Sequence, residues 1–466
     1  MSTDTPTWHT SGLQVTVHTE DNQPITLVRR LGAGGQGEVW EATGGRVAVK
    51  LLHSRDQAAA QRLAARLRAV RLLDLGGLPL ARPIALLRPP TLGYTMAMLA
   101  DMVALRDLMT PRGREDLARW YARTGGLRRR LRLLGRLAAG LAQLHSRGLC
   151  YGDPSPVNVM VSESLDFEQV YLIDVDNIAV ASDLRGGAYV TPGYAAPEVS
   201  SGRLGVTSLS DAFAFAVMAF HTLTAQHPLI GDPVHDGEPE LEEEAFAGRL
   251  PWIDHTSDPT NRSRFGISRA KVLTPGLQTL SRRAFESGLN DRTARPTVGE
   301  WCSKLFEAAD MTLVCEQCSA SFYGDKATCP WCAAPAPAAY VAAAFAHVPP
   351  TGSNVSGTAP LRRAVLVQQE AETSISARAV LPAAAEPERV LATIRFSSAG
   401  GLTAVNRWDR PLWIVGPGGG PHLPVEPGHE SELPGRSGAI WELHFGSLYE
   451  PHRLLRFHRL TRGTDR

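Results

Sequence analysis

Gly32, Gly34 and Gly37 stand at G-x-G-x-x-G spacing within LGAGGQGEV, residues 31–39. Without Cβ atoms at these positions a backbone can close over phosphate oxygens. The same spacing also opens dinucleotide-binding folds, where the glycines lead into a helix. Here VWEA (39–42) and RVAVK (46–50) follow, and both read as strands, so the dinucleotide reading loses its context.

A second constellation is a pair of C-x-x-C turns, Cys315 with Cys318 and Cys329 with Cys332, ten residues apart. Two intervening residues let one tight turn present both sulfurs to a tetrahedral ion, and the second turn completes the shell. This spacing predicts structural zinc on all four thiolates. A closed four-sulfur shell leaves no position for water and so predicts no catalysis. The alternative is two disulfides or a redox pair. Phe322 and Trp331 are expected to pack around the site, since so small a module has little core of its own. Cys150 and Cys302 read as buried small hydrophobes. His422, His429, His444, His452 and His458 show no tight ligand spacing and read as ordinary surface or core residues.

These groups need elements to hold them. At 466 residues the chain predicts about three folded units. Lys plus Arg total 48 against 47 acids, a balance that argues against a protein built to coat nucleic acid. Apolar residues make up 43%, enough for packed cores, and no stretch approaches the roughly 20 uncharged apolar residues of a membrane helix. No secretory signal is visible, and six cysteines are too few for a disulfide scaffold, so a soluble cytoplasmic protein is expected. Composition divides the chain into an N-terminal extension (1–27), a globular region (28–306), the cysteine module (311–334), an Ala/Pro-rich linker (335–360) and a small β-rich domain (361–466). Nine arginines in 112–136 and six acids in 236–244 read as solvated faces.

The region 28–306 resembles a bacterial eukaryotic-like Ser/Thr protein kinase. VAVK (47–50), YGDPSPVN (151–158), LID (172–174), TPGYAAPE (191–198) and NDRTARPT (290–297) occur in that family's order. The resemblance implies an α+β, bilobal kinase-like fold, followed here by the zinc ribbon and an all-β domain. It implies that ATP lies under Gly32, Gly34, Gly37 and Val39, with adenine near 96–99 and Lys50 on the α and β phosphates. Asn158 and Asp174 then hold magnesium, and Asp153 orients the acceptor hydroxyl. Asp211 is expected to support the catalytic loop and Arg295 to pair with Glu198. The order kinase, zinc ribbon, linker and β-domain, with the YGD-x-S-P-x-N and DVD variants, is similar to kinases of tellurite- and stress-associated modules. That similarity implies a PP2C-type phosphatase and a von Willebrand A protein as partners.

Four positions depart from the family pattern. Residues 51–73 hold no Glu to pair with Lys50, only Asp56, so Gln57, Gln61 or an acid from elsewhere must substitute. Tyr151-Gly152 replaces His-Arg, Asp174-Val175-Asp176 replaces DFG, and Ser155 stands where Ser/Thr kinases carry lysine. The expectation is a Mg-ATP-dependent kinase acting on Ser or Thr of a partner protein and on itself. The alternative is a nucleotide-binding scaffold that recruits partners through its zinc ribbon and β-domain.

Overall fold

The computed structural model describes residues 15–35, 37–54, 56–180, 190–349, 357–382, 384, 386–416, 422–433 and 441–462. The N-terminal part is an antiparallel sheet of six strands. Their order is Val15–His18, Pro24–Gly34, Gly37–Ala42, Val47–Leu52, Gly93–Ala97 and Ala85–Leu86. VAVKLL is almost continuously apolar because both faces of its strand are covered. Val17, Leu27, Trp40, Val49 and Leu51 fill one side, and Leu67, Tyr94 and Met96 fill the other with Ala48 and Leu52. Helix Gln57–Leu72 supplies Leu67, and its N-terminus is capped by the Asp56 carboxylate, which accepts from the Ala59 N–H at 2.7 Å.

The extension expected at 1–27 is corrected from residue 15 onward, while 1–14 lie outside the described residues. Val15 pairs with Leu27 and Val17 with Ile25 across a turn in which Asn22 adopts φ +63. The β-branched residues of VTVH therefore add a strand and bury Val17.

Two long helices centre the second lobe, Gly126–Ser146 and Ser208–Thr224. The second starts at a reciprocal capping box between Thr207 and Ser210 and buries Phe213, Phe215 and Phe220. The acids of 236–244 lie mostly on the surface, but the arginine run is corrected. Arg129 and Arg130 are buried. Arg130 donates to the carbonyls of Leu108, Tyr121 and Gly126 and to the Thr124 hydroxyl, and its guanidinium lies 3.8 Å from the centre of the Tyr121 ring. Of these, the Tyr121 carbonyl lies in the last turn of helix Leu117–Arg123 and the Leu108 carbonyl ends the 3-10 turn Leu105–Leu108.

Past helix Val298–Asp310 the cysteine module forms a short hairpin, Thr312–Val314 with Ser321–Tyr323, laid on the helical lobe. Trp331 stacks on Tyr121 at 5.3 Å, the Tyr323 hydroxyl donates to the Val272 carbonyl, and the Ser321 hydroxyl accepts from Arg128 N. Phe322 is buried among Leu313, Cys315 and Cys329.

The linker expected at 335–360 is also corrected. Strand Ala339–Val348 lies between Gly357–Gln368 and His452–Arg459 in a six-stranded sheet, and 350–356 lie outside the described residues. A facing four-stranded sheet shares its core, with Ile394, Phe396 and Leu402 meeting Leu412, Leu455 and Phe457. The alanines of AYVAAAFAHV contribute little bulk, yet Ala342 and Ala344 are buried because the opposite sheet supplies the large side chains. The β-rich part therefore begins near 339 rather than 361. Arg378 ties it to the helical lobe by pairing with Asp310 at 2.7 Å and lying over Phe306. Among the described residues no helix is long and apolar enough to cross a membrane.

Candidate active site

Strand Val47–Leu52 places Lys50 opposite Val39 on one neighbour and Tyr94 on the other. The lysine is only 6% exposed, so its ammonium needs partners inside the protein. Both come from the DVD turn. Lys50 Nζ donates to Asp174 Oδ1 and, at 2.9 Å, to Asp176 Oδ1, which also accepts from the Tyr94 hydroxyl at 3.3 Å. Asp176 is therefore the acid from elsewhere that the glutamate-free helix requires.

Asp174 adopts a left-handed backbone conformation, φ +65, ahead of the 3-10 turn Val175–Asn177 that carries Asp176. Burial and the adjacent Asp176 carboxyl push Asp174 up to about 7, against the pull of Lys50. Burial also opposes ionisation of Asp176, but Asp174 and Lys50 together hold it below the usual carboxylate value.

Gly32 and Gly34 belong to the hairpin whose second strand pairs with that of Lys50, Gly34 facing Gly37 across it, with Gln36 outside the described residues. A Cβ on Gly32 or Gly34 would meet nothing within 4 Å, so the space beside that backbone is open. Gly37 has another reason to be glycine: its Cβ would stand 2.0 Å from the Leu51 carbonyl oxygen. Beside the hairpin, Val39, Ala48, Met96, Met98, Leu99 and Ile173 belong to one apolar cluster.

Tyr151-Gly152-Asp153 is held from beneath by Asp211, which accepts from the N–H groups of Tyr151 at 2.7 Å and Gly152 at 3.0 Å. Gly152 has φ +93, and a Cβ there would lie 2.6 Å from the Asn177 carbonyl oxygen, so the loop closes onto the DVD turn only with glycine. The Tyr151 hydroxyl donates to the Ile173 carbonyl, adding a second tie to that turn. Asp153 accepts from Thr191 N at 2.8 Å on Oδ1. On Oδ2 it accepts from the Thr191 hydroxyl at 2.9 Å and Asn158 Nδ2 at 3.1 Å. Burial raises its pKa despite these donors.

The Asn158 carbonyl accepts from Ile173 N at 2.9 Å, where strand Val159–Ser162 pairs with Val170–Leu172. Lys50 thus contacts Asp174 and Asn158 contacts Asp153, the two pairs being set side by side through the backbone of Ile173, with Thr191, Asp176 and Tyr94 added. Thr191 was visible in the sequence only as the start of TPGYAAPE, and nothing there marked it as a partner of Asp153. Residues 181–189 lie outside the described residues.

The Glu198–Arg295 pair forms with two hydrogen bonds of 2.7 and 2.8 Å, and Arg295 is 3% exposed. Burial pushes Glu198 up, but the guanidinium outweighs it and holds the carboxyl low. Cys150 is buried, and burial pushes its thiol up to about 12; Cys302 is half-buried and rises to about 11.

The four module cysteines converge so that one sulfur from each lies within 4.8 Å of the others. Cys315 and Cys332 sulfurs are 3.5 Å apart, and Cys318 and Cys329 sulfurs 3.7 Å. A tetrahedral ion with 2.3 Å bonds to sulfur sets its ligands about 3.8 Å apart, so the donor set fits zinc. Each C-x-x-C turn closes on a left-handed residue, Ser319 or Ala333, whose N–H returns to the carbonyl of the first cysteine of its pair. The C-terminal histidines are corrected in part, because His444 and His452 converge with His347.

No family model matches the chain. Its kinase-like region is similar to the serine/threonine-protein kinase pkn2 of Myxococcus xanthus, 30% identical over 253 residues, covering 51% of this chain and 28% of that protein. It is similar to the serine/threonine-protein kinase PknA of Mycobacterium tuberculosis, 26% identical over 220 residues, covering 44% and 48%. Protein kinase YegI of Escherichia coli O157:H7 is 25% identical over 346 residues, covering 69% of this chain and 50% of that protein. The chain spans half or less of each of these relatives. All three are named protein kinases, two of them of the serine/threonine type, and these matches support a bacterial eukaryotic-like protein kinase.

Proposed function

We propose that the chain is a Mg-ATP-dependent protein kinase that transfers the γ-phosphate to a Ser or Thr hydroxyl of a partner protein and of itself. The observation that carries this reading is that the Ile173 N–H bond to the Asn158 carbonyl sets the Lys50–Asp174 pair beside the Asn158–Asp153 pair. The open space beside Gly32 and Gly34, and the hard oxygens of Asn158 and Asp174, suit a polyphosphate with its metal.

On this reading Lys50 orients the α and β phosphates, and the apolar cluster from Val39 to Met98 holds adenine. Asn158 and Asp174 hold magnesium, which when bound offsets the charge on the transferring phosphoryl group. Asp153 accepts the proton of the acceptor hydroxyl as its oxygen bonds to phosphorus and the bond to ADP breaks. The Thr191 hydroxyl, 2.9 Å from Asp153 Oδ2, supports a hydroxyl acceptor, since that oxygen already receives one from the protein itself. The protein contributes mostly placement and charge. The cysteine module is read as a structural zinc site. The proposed partners are a protein substrate, a PP2C-type phosphatase and a von Willebrand A protein, supported by the YGD-x-S-P-x-N and DVD variants.

One observation favours a non-catalytic scaffold: Asp174, the expected magnesium ligand, is engaged by Lys50. Incubation with labelled ATP and magnesium separates the two, alongside Lys50→Met and Asp153→Asn. Label that disappears in both variants supports the kinase. No label on the chain or on a generic acceptor, with ATP binding measured separately, favours the scaffold.

A further inference from the structure

Three neighbouring strands of the C-terminal six-stranded sheet bring His347, His444 and His452 to one face at one end. His347 lies directly opposite His452 in the Ala339–Val348 and His452–Arg459 pair. His444, the last residue of Trp441–His444, lies opposite Leu454, two residues along from His452 and therefore on the same face. One ring nitrogen from each lies within 4.8 Å of the others. His347 and His444 are buried and His452 is half-buried. A Cβ on Gly446 would come within 2.7 Å of the His452 Cβ, so the turn after His444 has no room for a side chain beside the cluster.

The outer nitrogens decide what the inner ones can be. His347 Nε2 is 2.9 Å from the Leu448 carbonyl oxygen, and His452 Nδ1 is 2.8 Å from the Glu450 carbonyl oxygen. His444 Nε2 is 3.2 Å from Glu442 Oε2, and that carboxylate is fixed by Arg456 Nε at 2.8 Å on Oε1. A carbonyl or carboxylate oxygen only accepts, so each outer nitrogen carries the hydrogen. In a neutral ring the inner nitrogen is then a bare lone pair. His444 Nδ1 and His452 Nε2 face each other at 2.8 Å, an approach that two lone pairs make only with a proton or a metal ion shared between them. Carboxylate and carbonyl groups that orient the far side of each imidazole are the arrangement in which histidines bind metal.

We propose that His347, His444 and His452 form a binding site for a divalent transition-metal ion of the zinc class, separate from the cysteine module. Imidazole nitrogen favours this class over magnesium or calcium. Tetrahedral nitrogen ligands at 2.0–2.1 Å stand about 3.4 Å apart, so the His444–His452 edge opens by roughly 0.6 Å to admit the ion. Such an ion clasps the first strand of the β-rich part to its last hairpin, across a chain separation of about a hundred residues.

The test is metal content of the full chain after equilibration with zinc and removal of free ion. The native chain is expected to hold one more equivalent than His444→Gln/His452→Gln, whatever the loading of the cysteines. Equal content in the two overturns the proposal. Glu442→Gln leaves all three ligands in place and is expected to weaken the additional site about 10- to 100-fold; unchanged affinity overturns it. Cobalt in the additional equivalent is expected to add weak d–d absorption without thiolate-to-cobalt charge transfer. A charge-transfer band that grows with it assigns the ion to cysteine and overturns the proposal.

Discussion

Asp176 Oδ1 stands 2.9 Å from the ammonium of Lys50, so the carboxylate partner of this buried lysine comes from 126 residues downstream rather than from helix Gln57–Leu72. That helix can lack acid because the DVD turn carries two carboxylates, Asp174 and Asp176, on one short segment. On the proposed kinase reading, the lysine stays positioned when Asp174 turns to a metal, which divides two tasks between two neighbouring groups.

Asp176→Gly, which restores the family's glycine, is therefore expected to lower phosphotransfer rather than raise it. A hydrogen bond to a charged group contributes about 1.5–3 kcal/mol, which is roughly 10- to 100-fold in rate if the loss falls on the transition state. Initial rates with labelled ATP, compared with Asp176→Asn, check this. A gain in turnover for Asp176→Gly would show that the carboxylate is dispensable.

The glycine hairpin, Lys50, Asp153, Asn158 and Asp174 were legible because each sits in a short motif, and local spacing survives in one dimension. The partner of Lys50 was legible only as a vacancy: residues 51–73 lack glutamate, but nothing local links residue 50 to residue 176. Asp176 was visible only as part of the DVD that replaces DFG, and only the fold turns it toward the lysine. The strand Ala339–Val348 was hidden by composition, since alanine has weak β propensity and the core it faces comes from another sheet. With that strand misread, His347 could not be placed beside His444, 97 positions away in the chain. Arg130 was misread for a related reason, because two of the carbonyls it meets, those of Leu108 and Tyr121, end other helical turns that only the fold brings to it.

Glu198 and Arg295 make a buried two-bond pair, and removing one member strands the other. Arg295→Ala is expected to cost about 3–5 kcal/mol of stability. Glu198→Gln/Arg295→Met, which leaves no uncompensated charge, is expected to cost less than Arg295→Ala alone. Thermal unfolding of the two variants beside the native chain checks the ordering. A double variant less stable than Arg295→Ala would mean that the pair's charge is not what matters.

The cysteine module is packed on the helical lobe, so its metal is expected to stabilise more than its own few residues. Cys318→Ser/Cys329→Ser should abolish the zinc that a thiol-specific reagent releases and should lower the Tm of the helical lobe. The Trp331–Tyr121 stack and the Tyr323 hydrogen bond to Val272 make that connection. Zinc release and Tm, measured on the same samples, check it. An unchanged Tm after complete loss of the thiol-bound metal would remove the structural role.

Beneath the TPGYAAPE segment lie two half-buried histidines, His221 and His227, whose surroundings favour the neutral form. His227 accepts from Leu229 N on Nδ1 at 3.2 Å and donates from Nε2 to the Gly193 carbonyl at 3.0 Å, so both nitrogens are committed and no second proton has a place. Burial pushes His227 down to about 4, and burial with the nearby His227 pushes His221 down to about 3. An unfolded histidine titrates near 6.5, so between about 6.5 and 4 the unfolded chain binds the additional protons. Their stabilisation is complete above pH 6.5 and is lost as pH falls through that window, at up to about 1.4 kcal/mol per pH unit for each histidine. His227→Gln keeps an acceptor and a donor for the same partners but cannot be protonated. Its stability is expected to fall less steeply than that of the native chain between pH 7 and 5, by up to one proton's worth of slope. Unfolding free energies at several pH values give both slopes, and parallel lines would mean that His227 is not held neutral. Because His227 holds Gly193 and the Tyr194 hydroxyl contacts His221, mild acid is expected to loosen this segment before the sheet that carries Lys50.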